Sequence, residues 1–186
     1  MNKQYIKIIA LSVILVILIG VAVWAYGSLS KDYSMPDETA TSEVTIEKEN
    51  KDIVTAADFT MTDKDGNTVS LSDYFGKPIV VNFWATWCSP CKSEMPHFEQ
   101  AYKDYGDEIH FLMVNVGDSY DKAYKFAEQN GYTFPVYHDT SYSASYTYNV
   151  SSIPMTLFIN ADGELVKSQI GMMSESALAS CIEMIK

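Results

Sequence analysis

The stretch that most limits the fold is Pro78-Ile79-Val80-Val81-Asn82-Phe83-Trp84. A nearly continuous apolar run of this kind reads as a central strand buried on both faces, the pattern of parallel sheets covered by helices. Its surroundings keep that reading. Ser89 to Tyr105 predicts a helix stopped by Gly106, and His110 to Val116 a second buried strand. Tyr120 to Asn130 predicts a helix with Ala123, Tyr124, Phe126 and Ala127 inward and Gly131 at its end. Val136–His138 is a short strand, followed by a short helix near Ser143–Tyr148. Thr156–Asn160 and Leu165–Ile170 are strands joined by the hairpin signal Ala161-Asp162-Gly163, and Ser174 to Ile185 is a last helix. Upstream, Phe59–Met61 and Val69–Leu71 flank the turn-rich Asp63-Lys64-Asp65-Gly66-Asn67 and form a hairpin; Ser72 then opens a helical turn ending at Gly76. The alternation implies an α/β domain, with a mixed central sheet flanked by helices and an added N-terminal β-hairpin.

The domain is expected to occupy residues 58–186. Residues 27–57 are rich in Ser, Thr, Glu, Asp and Lys and read as a flexible linker. Ile8 to Tyr26 is almost wholly apolar, and as a helix would span about 28 Å, close to a bilayer's hydrocarbon thickness. Lys3 and Lys7 precede it, acidic residues follow it, and Trp24 and Tyr26 lie at its outer end. That charge bias puts residues 1–7 in the cytoplasm, residues 8–26 in the membrane as a signal anchor, and the folded part outside. A signal peptide cleaved near Ala25 is the alternative; its apolar region would ordinarily be shorter. The formal net charge of −11 over 186 residues disfavours nucleic acid as a partner.

Three cysteines are too few for a disulfide-stapled scaffold. Two of them form Cys88-Ser89-Pro90-Cys91, where the buried strand hands over to a helix. Spacing allows a small disulfide ring, the helix N-terminus favours a thiolate at Cys88, and Pro90 fits the first helical turn. A free thiol near pKa 8.5 is only about 3% ionised at pH 7, whereas one near 7 is about half ionised. Cys88 is therefore expected to be the exposed attacking thiol, and Cys91 to resolve the mixed disulfide. Two other readings stand beside this one. A zinc site lacks two further ligands, although His97 is near. A purely structural disulfide would close too small a ring to constrain much chain entropy. Cys181 shares a helical face with Ala177, Leu178, Ile182 and Ile185 and reads as buried and inert. No metal or other cofactor is implied.

These motifs, with VVNFWATWCSPC, KSEMPHF, NVGD, Ile153-Pro154-Met155-Thr156 and the Asp162-Gly163 turn, resemble the thioredoxin superfamily in its membrane-anchored ResA/TlpA-like branch. The resemblance covers about residues 58–186 and implies a thioredoxin-like fold. It implies Cys88 and Cys91 as the redox pair, Pro154 as the family's cis-proline, and the backbone of Ile153 as the partner of an extended client chain. Pro96 matches the proline that kinks the active-site helix, and Trp87 supplies apolar contact surface. Glu94 matches a glutamate placed near the sulfurs, while Asn82 stands where cytosolic thioredoxins keep a buried aspartate. A solvated helix-surface glutamate is the plainer reading of Glu94. The implied activity is thiol–disulfide exchange, in the reducing direction, on exported proteins such as apocytochrome c, with electrons supplied by a membrane protein. A disulfide-forming oxidant and a redox-inactive binding module are the alternatives.

Overall fold

In the computed structural model, the described residues are 17–21, 24 and 54–186. Residues 17–21 and 24 are helical, and no helix among the described residues is long and apolar enough to cross a membrane. The expected anchor at 8–26 lies for the most part, and the expected linker at 27–57 as far as residue 53, outside the described residues.

Seven strands form one sheet: β1 (Thr60–Thr62), β2 (Thr68–Ser70), β3 (Ile79–Trp84), β4 (His110–Asn115), β5 (Val136–His138), β6 (Met155–Ile159) and β7 (Leu165–Ile170). Their spatial order is β2-β1-β5-β4-β3-β6-β7. The central trio β3, β4 and β5 is parallel, and β6, β7 and the β1–β2 hairpin add antiparallel neighbours on either side. Among the described residues from 54 on, the α-helices are α1 (Ser89–Tyr105), α2 (Tyr120–Gln129), α3 (Ser143–Thr147) and α4 (Glu175–Ile182), with a 3-10 turn at Leu71–Tyr74. This is the α/β architecture that the alternating pattern implied.

Strand β3 is buried along its whole length, and its side chains divide between two cores. Val80 and Trp84 join Phe98 of α1, Ala123 and Ala127 of α2, and Leu178 and Ile182 of α4. Ile79, Val81 and Phe83 join Phe59, Leu71 and Ala144 on the opposite face. The two-residue period of a strand makes this division. It also sends Asn82, between Val81 and Phe83, to the α1 side.

The domain begins earlier than expected. Residues 54–57 are held on the β6–β7 turn: the Ala56 N–H donates to the Gly163 carbonyl (2.8 Å), and the Leu165 N–H to the Val54 carbonyl (2.8 Å). Ala56 is buried as a result. At the other end α4 stops at Ile182, yet Ile185 still packs into the core. Gly106 stops α1 for a reason other than left-handed backbone: its φ is −63°, and a Cβ there would lie 2.6 Å from the Tyr102 carbonyl oxygen.

Candidate active site

Three chain segments converge at the carboxyl end of β3. The first carries the sulfurs. Cys88 and Cys91 form a disulfide, with Cα atoms 5.3 Å apart. Cys88 is the N-cap of α1, and its sulfur accepts a hydrogen bond from the Cys91 N–H (3.1 Å). Pro90 lies in the first turn, where a missing N–H costs nothing. The expectation of an exposed Cys88 is corrected in this oxidised state. Cys88 is only 5% exposed and Cys91 fully buried, because the Cys88 sulfur turns inward to cap the helix. Trp87 is the exposed group instead, at 62%. Cys181 is buried and free, as its helical face implied.

The second segment lies beneath the sulfurs. Glu94, one helical turn beyond Cys91, is completely buried rather than solvated. Its Oε1 accepts from the Asn82 side-chain amide (2.9 Å), and its Oε2 from the Met173 N–H (2.9 Å). The same Asn82 nitrogen donates to Thr156 Oγ1 (3.0 Å). Burial pushes the Glu94 carboxyl above its ordinary range; the Met173 and Asn82 bonds and the field of His97 pull it back only in part. His97 itself lies against the Met173 carbonyl (Nδ1 to O, 3.2 Å).

The third segment is Ile153–Pro154, joined by a cis peptide bond. Pro154 is buried and Ile153 partly exposed. The Pro154 carbonyl accepts from the Gly171 N–H (2.8 Å), which places the exposed Ile170 and Met172 beside this segment. Met155, which follows Pro154, is 7% exposed.

The NVGD motif has a task that its sequence alone does not reveal. Asp118 accepts from the Thr86 N–H (2.6 Å), the Thr86 hydroxyl (2.7 Å), the Asn115 amide (3.0 Å) and Lys122 (2.6 Å). Burial alone would raise its pKa, but the Lys122 ammonium and the Thr86 and Asn115 bonds outweigh it and hold the carboxyl down at about 2. Asp118 thus anchors the loop that leads into Trp87 and Cys88. Gly117 gives Trp87 its seat. The indole N–H donates to the Gly117 carbonyl (3.4 Å), and a Cβ at Gly117 would lie 2.9 Å from that indole nitrogen.

Among the described residues, no group of three or more His, Cys, Asp or Glu side chains could hold a metal ion. His110 and His138 stand apart from the sulfurs on β4 and β5; both ring nitrogens of His138 are buried and lack a hydrogen-bond partner among the described residues.

Residues 54–168 match the model of the AhpC/TSA family. The chain is 38% identical over 132 residues to the thiol–disulfide oxidoreductase ResA of Bacillus subtilis, covering 70% of this chain and 74% of that protein. A putative thiol:disulfide interchange protein DsbE from Chlorobium tepidum superposes with a TM-score of 0.65 at 28% identity, covering 72% of this chain and 97% of that one. The exposed lipoprotein thioredoxin of Streptococcus pneumoniae superposes with a TM-score of 0.60 at 34% identity, covering 68% of this chain and 98% of that one.

Proposed function

The chain belongs to the AhpC/TSA family and is a thiol–disulfide oxidoreductase similar to ResA; from that premise we propose that it reduces disulfides of exported proteins while tethered to the membrane by residues 8–26. The observation that carries the reducing direction is the buried Glu94, one turn below Cys91. A carboxyl there, once ionised, opposes a thiolate close by, which raises the thiol pKa against the pull of the helix N-terminus. A couple whose thiolate is not favoured gives its electrons away more readily than one whose reduced form is stabilised.

In this reading the Cys88 thiolate attacks one sulfur of a client disulfide; the client S–S bond breaks, its other sulfur leaves as a thiolate, and Cys88 is joined to the client by a new S–S bond. The Cys91 thiol then passes its proton to Glu94, its sulfur bonds to Cys88, and the client sulfur leaves as a thiolate. Ile153 and Pro154 present backbone to the extended client, while Trp87, Ile170 and Met172 offer apolar contact. Apocytochrome c before haem attachment is the client class that the resemblance to the ResA/TlpA-like branch implies. A membrane protein of the thiol-transfer type re-reduces the pair. Similarity to an exposed lipoprotein thioredoxin supports placement of the domain outside the cytoplasm.

The test is the reduction potential of the full chain in detergent, equilibrated in defined thiol buffers. A value near about −270 mV supports the reductase, and one near about −120 mV makes the protein a disulfide donor instead. In cells, the Cys91→Ser variant should hold its client on Cys88 as a mixed disulfide. Recovering no cross-linked client would count against the enzyme's proposed direction and clients together.

A further inference from the structure

A buried carboxyl that exchanges a proton needs two different sets of neighbours. Ionised, it requires donors; protonated, its O–H requires an acceptor. A site built for one state strands a buried polar group in the other. The Met173 N–H serves Oε2 in both states, so the demand falls on whatever faces Oε1. That group is the Asn82 carboxamide, whose nitrogen donates both to Glu94 Oε1 (2.9 Å) and to Thr156 Oγ1 (3.0 Å).

We propose that Asn82 and Thr156 are positioning residues that let Glu94 take up and release a proton without losing a hydrogen bond, by turning over the Asn82 carboxamide. The proposal rests on the reading of Glu94 as proton acceptor. The orientation observed suits an ionised Glu94: two amide hydrogens meet two acceptors. When Cys91 gives its proton to Oε1, rotation of the amide by half a turn brings Oδ1 to the same place. Oδ1 then accepts from the Glu94 O–H and from the Thr156 O–H. An amide oxygen and nitrogen are nearly the same size, so the packing is undisturbed. Thr156 can follow because a hydroxyl both accepts and donates.

The fold makes this arrangement rigid. Asn82 and Thr156 are directly opposite each other in the β3–β6 ladder, in the middle of the sheet, and both are buried. The neighbours of Glu94 on β3, on β6 and at Met173 are all uncharged. His97 on α1 is the charged group that acts on it, and Cys91 lies one helical turn before it.

Valine in place of Thr156 keeps the shape and removes the hydroxyl. One Asn82 N–H is then stranded whenever Glu94 is ionised, whereas Oδ1 still has one donor when Glu94 is protonated. The cost falls on the ionised form, so the proton is held more tightly. The experiment follows release of a client peptide from a preformed Cys88 mixed disulfide by stopped flow between pH 5 and 9, with the full chain in detergent. Thr156→Val is expected to slow release about five-fold near neutral pH, recovering as pH rises, so that the profile moves upward. Thr156→Ser is expected to stay within about two-fold of the parent. In the unsubstituted protein, the Asn82 side-chain amide resonances should follow the Glu94 carboxyl titration. A parental profile in Thr156→Val, or amide resonances indifferent to Glu94, overturns the proposal while a shifted profile in Glu94→Gln leaves the proton-acceptor reading standing. If Glu94→Gln itself has the parental profile, that reading falls, and this one with it.

Discussion

Helix α1 buries two glutamates, Glu94 in its sulfur-bearing half and Glu99 in the half that leads away. Burial pushes both carboxyls upward, yet they end on opposite sides of their ordinary value. Glu99 accepts from the Thr133 N–H (2.7 Å) and hydroxyl (2.8 Å) and pairs with Lys103 (3.0 Å), and together these outweigh its burial. Glu94 has two donors and no cation in contact, so its burial prevails. The lesson is that depth and partners act together: the shallower Glu99, with the Thr133 bonds and a cation, is a fixed strut, while the deeper Glu94, with two donors alone, is a group able to trade protons. Asp118 belongs with Glu99: it is equally enclosed and paired with Lys122.

The sharpest way to break this comparison is to neutralise both glutamates in turn. Glu94→Gln should slow resolution of a Cys88 mixed disulfide about a hundred-fold, the lower range of general-base effects, while Glu99→Gln leaves it within about two-fold. Equal slowing in stopped-flow assays would show that the two halves of the helix do not differ in kind. Next in size is Asp118→Asn, expected to cost about 2 kcal/mol in urea unfolding at neutral pH. Because the folded pKa is depressed, that cost should be full above 3.8 and vanish as pH falls toward about 2. Glu99→Gln should cost about 1.5 kcal/mol, since it weakens hydrogen bonds to a charged group. This cost should shrink as pH drops below 4.5, whereas Glu94, whose folded pKa is raised, should weaken the fold increasingly as pH climbs above 4.5. Opposite slopes of stability against pH in the two Gln variants, each measured against the parent, are thus the signature. The smallest effect is expected for Lys103→Met, about 0.5 kcal/mol, because the ammonium is more than half exposed. It nonetheless sharpens the comparison by moving Glu99 toward the condition of Glu94, visible as a rise in the Glu99 carboxyl titration.

The elements were legible because apolar runs such as Ile79–Trp84 and His110–Asn115 carry their burial in their own composition. The redox pair was legible because its spacing is local. What was hidden depends on partners far along the chain. Glu94 is on α1 in either reading, solvated or buried; Asn82, 12 positions away, and Met173, 79 positions away, decide between them. NVGD was visible as a motif, but its meaning lies in Thr86, 32 positions away. Cys88 illustrates the reverse error. A helix N-terminus was rightly read as a place for a sulfur, yet the same capping bond that suits a thiolate turns that sulfur away from solvent.

The early start of the domain has a mechanical consequence. The segment Val54–Ala56 is fastened to the β6–β7 turn, at the end of the sheet where β3 begins. The sulfurs lie past its other end, a strand's length of about 17 Å away. Any tension arriving through the preceding chain therefore falls first on the hydrogen bonds Ala56–Gly163 and Leu165–Val54. Those bonds set the junction of the leading chain with the domain at the opposite end of the sheet from Cys88, Cys91 and Glu94.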